Sequence, residues 1–220
     1  MRRAVDCVLS AFLLVTLFPV FLIVSVAVLL TMGQPIFYGQ YRGGQHGRPF
    51  KMFKFRTMSP DAEAGGPLTL REDPRITPVG RLLRKYKIDE LPQLIHVFLG
   101  QMTFVGPRPE VLDWVAQYSP EERRVLRARP GLTDPVQILF RHEQDHLEGP
   151  DQYRALMRVK VRRQLDYLAR RSALSDLKVV FDTFRCILNN WASDEELRVY
   201  EDCRRQAQAS NAHRDHRSGL

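Results

Sequence analysis

The chain has 220 residues, room for one ordinary domain and an appendage, and its 33 Lys+Arg against 25 Asp+Glu leave a net charge of +8. That balance points to an anionic partner: nucleic acid, anionic lipid or a phosphorylated substrate. Cys7, Cys186 and Cys203 show neither CxxC spacing nor an even framework, so a disulfide scaffold and a cysteine metal centre are set aside and the thiols read as reduced.

Residues 7–32, "CVLSAFLLVTLFPVFLIVSVAVLLTM", carry no charge and exceed the roughly 20 apolar residues of a spanning helix. The run is too long for a signal-peptide core of about 7–15 residues, so it stays in the mature protein. Arg2 and Arg3 precede it, and Arg42, Arg48, Lys51, Lys54 and Arg56 follow. A straight span would leave one basic group on the wrong side of the membrane. Pro19, near the middle, deletes a backbone hydrogen bond and kinks or breaks the helix, with Ser10 and Thr16 available to bridge the bend. A kinked bitopic helix and a helix that bends at Pro19 and returns to the same face both fit these residues.

After the exit at Gly33 and Pro35, "IFYGQYR" and "RPFKMFKFRTM" flank the turn-rich "GGQHG" and predict a hairpin with Lys54 and Arg56 on one face. Such residues are often only a solvated strand face. "SPDAEAGGPLTLREDPR" reads as a polar loop. Thr77 as cap and Pro78 in the first turn start a helix on which Arg81, Arg84 and Lys85 share one side. "LPQLIHVFLG" is a second short helix closed by Gly100. From Asp151 to Trp191 the chain is mostly helical, with Leu156, Leu165 and Leu168 against Arg154, Arg158, Arg162 and Arg163. That pattern suits a membrane surface as well as a packed helix with a solvated face. The divisions are an apolar segment 1–36, a catalytic domain 37–195 and a polar, disordered tail 196–220.

The candidate chemistry lies in "KIDELPQL", residues 87–94. Asp89 could simply cap a helix, with Glu90 and Pro92 in its first turn. Its surroundings argue for more. Arg81, Arg84, Lys85 and Lys87 precede it, and Arg108 follows between two prolines. A helix N-terminus among cations attracts phosphate, and a carboxylate there is expected to stay ionised. An ionised Asp facing a phosphate can attack it, while the adjacent Glu90 orients the site or takes a proton.

"KFRTM" (54–58), "RITPVGRLLRKYKIDELPQL" (75–94), "GQMTFVGPRPE" (100–110) and "RPGLT" (129–133) stand in one order. The chain resembles the bacterial sugar transferases, monotopic phosphoglycosyl transferases that start glycan assembly on undecaprenyl phosphate. The resemblance implies an α/β fold: a compact, mostly helical domain with a short β-hairpin, on a re-entrant membrane helix bent at Pro19. It also implies a location on the cytoplasmic face of the bacterial inner membrane.

The implied reaction is ping-pong. Asp89 attacks the β-phosphate of a UDP-sugar, UMP leaves, and undecaprenyl phosphate takes the phosphosugar, for exopolysaccharide, capsule, O-antigen or glycoprotein assembly. Glu90 is the dyad partner, Arg108 the phosphate clamp, and Lys54, Arg56, Arg81 and Arg84 are nucleotide or phosphate contacts. Mg²⁺ is expected at Asp89, the partners are UDP-sugar, undecaprenyl phosphate and membrane lipid, and no nucleic acid is implied. The alternative role for Arg108 is a structural ion pair with Glu90. The chain departs from the family pattern at Lys87, His96, Gln101 and Asp134.

"HEQDHLEGPDQ" from His142 matches a zinc-protease motif, His142 and His146 with Glu143, but the third ligand position holds Gln152 and Gly149-Pro150 stop a helix. A charged loop is the better reading. The rival from another class is a non-catalytic basic adaptor binding anionic lipid or nucleic acid, which gives no reason for Asp89-Glu90 near Arg108.

Overall fold

The computed structural model describes residues 2–59, 73–143, 150–188 and 197–205. The apolar segment forms two helices, α1 (Arg2–Thr16) and α2 (Phe18–Met32), bent by 59° at Leu17 with Pro19 in the first turn of α2. No single helix among the described residues is long and apolar enough to cross a membrane. Ser10 turns back onto the Cys7 carbonyl at 3.1 Å, so it does not bridge the bend.

Both ends of the pair are tied to the rest of the chain. At the start of α1, Arg3 donates to the Val97 and Phe98 carbonyls, and the buried Asp6 accepts from Thr103 Oγ1 at 2.7 Å. At the far end, Val24, Val28 and Met32 pack with Phe55 and Leu83.

The predicted hairpin is present: β1 (Phe37–Gly43) pairs antiparallel with β2 (Pro49–Phe55), Tyr38 opposite Lys54 and Phe37 opposite Phe55. Arg56 lies just past the strand. Its guanidinium reaches the carbonyls of Met32, Gly33 and Gln34, satisfying groups that the end of α2 leaves without intrahelical partners. The polar loop that follows lies mostly outside the described residues.

Helix α3 (Pro78–Lys85) starts as expected, Thr77 Oγ1 accepting from Gly80 N–H at 3.0 Å. Gly80 is required for packing: a Cβ there would sit 1.9 Å from the Thr57 carbonyl oxygen. Helix α4 (Gln93–Leu99) ends at a left-handed Gly100. The "GQMTFVG" and "RPGLT" segments then supply β3 (Thr103–Val105) and β4 (Gly131–Thr133), a parallel pair separated by α5 (Leu112–Ala116). A side chain at Gly131 would strike the Gly106 backbone at 2.2 Å, so the two motifs meet backbone to backbone.

Helix α6 (Pro135–Leu139) follows β4 directly, and the long α7 (Pro150–Arg170) and α8 (Ala173–Leu188) complete the domain. Leu174, Leu177, Phe181 and Phe184, three and four apart on α8, are exposed. Part of the segment expected to be a disordered tail is ordered: residues 197–205 are helical (α9), and Tyr200 and Cys203 are buried with Val136, Phe140 and Leu156. Their spacing of three supplies an apolar stripe that a composition-based reading of the tail overlooks.

Candidate active site

Asp89 and Glu90 do not cap a helix. They occupy a separate 3-10 turn, Ile88–Glu90, entered through Lys87 in a left-handed conformation (φ 57°), and Pro92 stands at the start of α4. A non-glycine residue in that region costs about 1–2 kcal/mol and is held only by its surroundings. The turn buries both carboxylates, Asp89 at 5 % exposure and Glu90 at 9 %.

The two acids are shifted in opposite directions. Burial pushes the Asp89 carboxyl up and Glu90 beside it adds to the shift, while Lys54, Lys87 and Arg84 pull the other way without cancelling it. The shift runs opposite to the lowering expected from cations around Asp89, because removal from water outweighs them. For Glu90, burial is overcome by the Arg108 guanidinium, with Lys87 and Lys54 behind it, and the group is held down at about 2. Asp89 Oδ1 is buried with no hydrogen-bond partner.

The ion pair weighed for Arg108 forms: Nη2 donates to Glu90 Oε1 at 2.9 Å and Nη1 to Oε2 at 3.3 Å. Behind it lies a chain of buried and half-buried charges. Glu110 stands 3.8 Å from both Arg42 and Lys160, and Lys160 donates to Glu143 at 2.9 Å.

The other predicted contacts divide. Lys54 lies over the Tyr38 ring at 5.5 Å, and burial lowers its ammonium to about 8 against the pull of Asp89. Arg84 turns inward, its Nε donating to Thr57 Oγ1 at 2.8 Å and Nη1 buried without a partner. Arg81 is exposed, and its side chain makes no hydrogen bond or ion pair among the described residues. Arg56 is spent on the end of α2. Lys54, Arg84, Asp89, Glu90 and Arg108 therefore gather in one electrostatic cluster, without Arg56 or Arg81.

Gln93, inside the quoted motif but not singled out, is 1 % exposed with both amide atoms unpartnered. Two departures from the family pattern explain each other. His96 Nε2 accepts from Phe53 N–H at 3.1 Å, so its proton is on Nδ1, which meets Gln101 Oε1 at 2.6 Å. In the zinc-like stretch, Glu143 is engaged by Lys160 and Gln152 donates to the Tyr200 carbonyl, while His146 lies outside the described residues.

A family model described as bacterial sugar transferase matches residues 1–190. Over 202 residues the chain is 35 % identical to the exopolysaccharide production protein ExoY of Sinorhizobium fredii, covering 84 % of each. It is 37 % identical over 193 residues to the UDP-glucose:undecaprenyl-phosphate glucose-1-phosphate transferase of Caulobacter vibrioides, covering 85 % of this chain and 69 % of that one. An uncharacterized sugar transferase of Bacillus subtilis, EpsL, is 40 % identical over 138 residues, 63 % of this chain and 68 % of its own.

Proposed function

Because the chain belongs to the bacterial sugar transferase family, we propose that it moves a sugar 1-phosphate from a UDP-sugar to undecaprenyl phosphate, releasing UMP. The observation that carries the site assignment is Asp89: a buried carboxylate with one free oxygen, among Lys54, Arg84 and the Glu90–Arg108 pair. Asp89 attacks the β-phosphorus and forms a carboxyl–phosphate bond, while the bond to the bridging oxygen breaks and UMP leaves with its electron pair. An oxygen of undecaprenyl phosphate then attacks the same phosphorus and Asp89 departs as carboxylate. Glu90, held ionised by Arg108, is a weak base, which supports an orienting role over proton removal.

The residues fit Mg²⁺ to the extent of one ligand, Asp89 Oδ1. Among the described residues no cluster of three or more His, Cys, Asp or Glu could hold a metal. The remaining ligands would be phosphate oxygens and water, a common arrangement for this ion. Bound there, Mg²⁺ offsets phosphate charge and favours ionised Asp89.

The test is UMP release by detergent-solubilised protein from a set of UDP-sugars with undecaprenyl phosphate present. UDP-glucose comes first, because the Caulobacter relative is named for it. The ExoY relative's name supports a role in exopolysaccharide production. UMP without UDP is expected, and release of UDP instead would mean ordinary glycosyl transfer. The adaptor alternative has no support within an enzyme family.

We further propose a re-entrant seat in the cytoplasmic membrane, with the domain on the cytoplasmic face. Each 15-residue arm is about 22 Å long, and a 59° bend lifts the apex about 11 Å above the line joining the ends, against a hydrocarbon core of roughly 30 Å. Arg3 and Asp6 at one end and Met32 at the other engage the same domain, so they belong on one side. The exposed apolar face of α8 supports the same contact. Cysteines placed at positions 2 and 45, in a chain lacking Cys7, Cys186 and Cys203, should both resist a membrane-impermeant thiol reagent in intact cells and react after permeabilisation. Labelling of position 2 in intact cells would mean a spanning helix.

A further inference from the structure

We propose that Asp134 is a positioning residue for Arg108, acting with Gln137 to hold its guanidinium in register independently of Glu90. The proposal rests on the reading of Arg108 as the phosphate clamp. Asp134 stands where β4 meets α6 and is 1 % exposed. Both of its oxygens are used. Oδ1 accepts from Gln137 N–H at 2.7 Å, which starts α6. Oδ2 accepts from Arg108 N–H at 2.9 Å and from Gln164 Nε2, on α7, also at 2.9 Å. One carboxylate thus ties the Pro-Arg-Pro loop to two helices.

The far end of Arg108 is held by the same turn of α6. With its amide turned so that both atoms are satisfied, Gln137 accepts from Arg108 Nη1 at 2.6 Å and donates to the Leu132 carbonyl at 3.1 Å. Asp134 therefore grips the Arg108 backbone while Gln137, three residues on, grips its guanidinium. Glu90 binds the same fork through Nη2 and Nη1. A phosphate that binds Arg108 competes with Glu90 for those donors, and Gln137 keeps Nη1 fixed while it does so. An aspartate that touched the sugar directly would need access to solvent. Asp134 has none, so this departure from the family pattern acts through Arg108. Burial pushes its carboxyl up, and the bonds from Gln137, Arg108 and Gln164 oppose that.

The experiment is a double-mutant cycle on UMP release, with kcat and KM measured separately. Asp134→Ser keeps a hydroxyl to cap Gln137 N–H but removes the carboxylate oxygen that Arg108 and Gln164 share. On its own it should lower kcat about tenfold, the scale of a small misplacement of a clamp. Added to Arg108→Lys it should cost less than about twofold more, because there is no guanidinium left to aim. A parental kcat for Asp134→Ser, or the full tenfold loss in the lysine background, would overturn the proposal while leaving the clamp intact. Parental turnover for Arg108→Lys alone would overturn the clamp reading and this proposal with it. Should Asp134→Ser fail to accumulate, Gln137→Met, which leaves the Asp134 cap in place, carries the same cycle with the same outcomes.

Discussion

Asp89→Asn is expected to remove turnover, by roughly 10⁴-fold or more, as loss of a nucleophile does elsewhere. Mass spectrometry of protein mixed with UDP-sugar, without undecaprenyl phosphate, should show a phosphosugar adduct on the parent and none on the variant. An adduct of equal yield on Asp89→Asn would remove Asp89 from the nucleophile's role. The variant should nevertheless fold. Asp89 is a buried acid whose pKa is raised in the folded state, so the folded chain holds its proton more tightly than the unfolded one. Its contribution to stability falls as pH rises from the unfolded value toward the folded value. An amide has no such charge to desolvate, and the thermal midpoint at neutral pH should equal or exceed the parent's. A variant that is inactive and no less stable separates chemistry from folding. The same raised pKa predicts that parental kcat/KM declines on the acid side at a pH above that of an ordinary aspartate.

Arg108→Lys should cost about 10²-fold in kcat/KM although the charge is kept, a loss comparable to that of one transition-state donor. Lysine offers a point charge on a flexible stem in place of a planar fork. Here the fork already serves Glu90 through two nitrogens and Gln137 through one, and an ammonium cannot reproduce that set. A pH signature should follow. Glu90, held at about 2, contributes stability that is present above its unfolded pKa of about 4.3 and is lost as pH falls through the folded value. With the fork gone, burial raises Glu90 and that loss begins at higher pH. The midpoint of acid unfolding should therefore move upward in Arg108→Lys, followed by circular dichroism. Parental turnover together with an unmoved acid midpoint would assign Arg108 neither role.

The local elements were legible because their signals are local. Thr77-Pro78 starts α3 and Gly100 ends α4 through contacts within a few residues of chain, and the hairpin register follows from one turn between two strands. The four ordered motifs likewise identified the family, with Asp89, Glu90 and Arg108 in one neighbourhood, since a motif records which side chains recur and not where they point. Direction is a tertiary matter. Lys54 and Arg56 look equivalent in sequence, yet Lys54 faces the acids and Arg56 closes the end of α2, because only the packed structure brings those orphan carbonyls within reach. In sequence Arg3 is only part of the basic flank before the apolar run, and the fold lays its guanidinium on the carbonyls that end α4. Proton affinity is tertiary for the same reason. Two adjacent carboxylates with the same neighbours in sequence are driven apart, Asp89 upward and Glu90 down to about 2. Burial acts on both, and only Glu90 faces the fork of an arginine eighteen positions away in sequence, brought beside it by the fold.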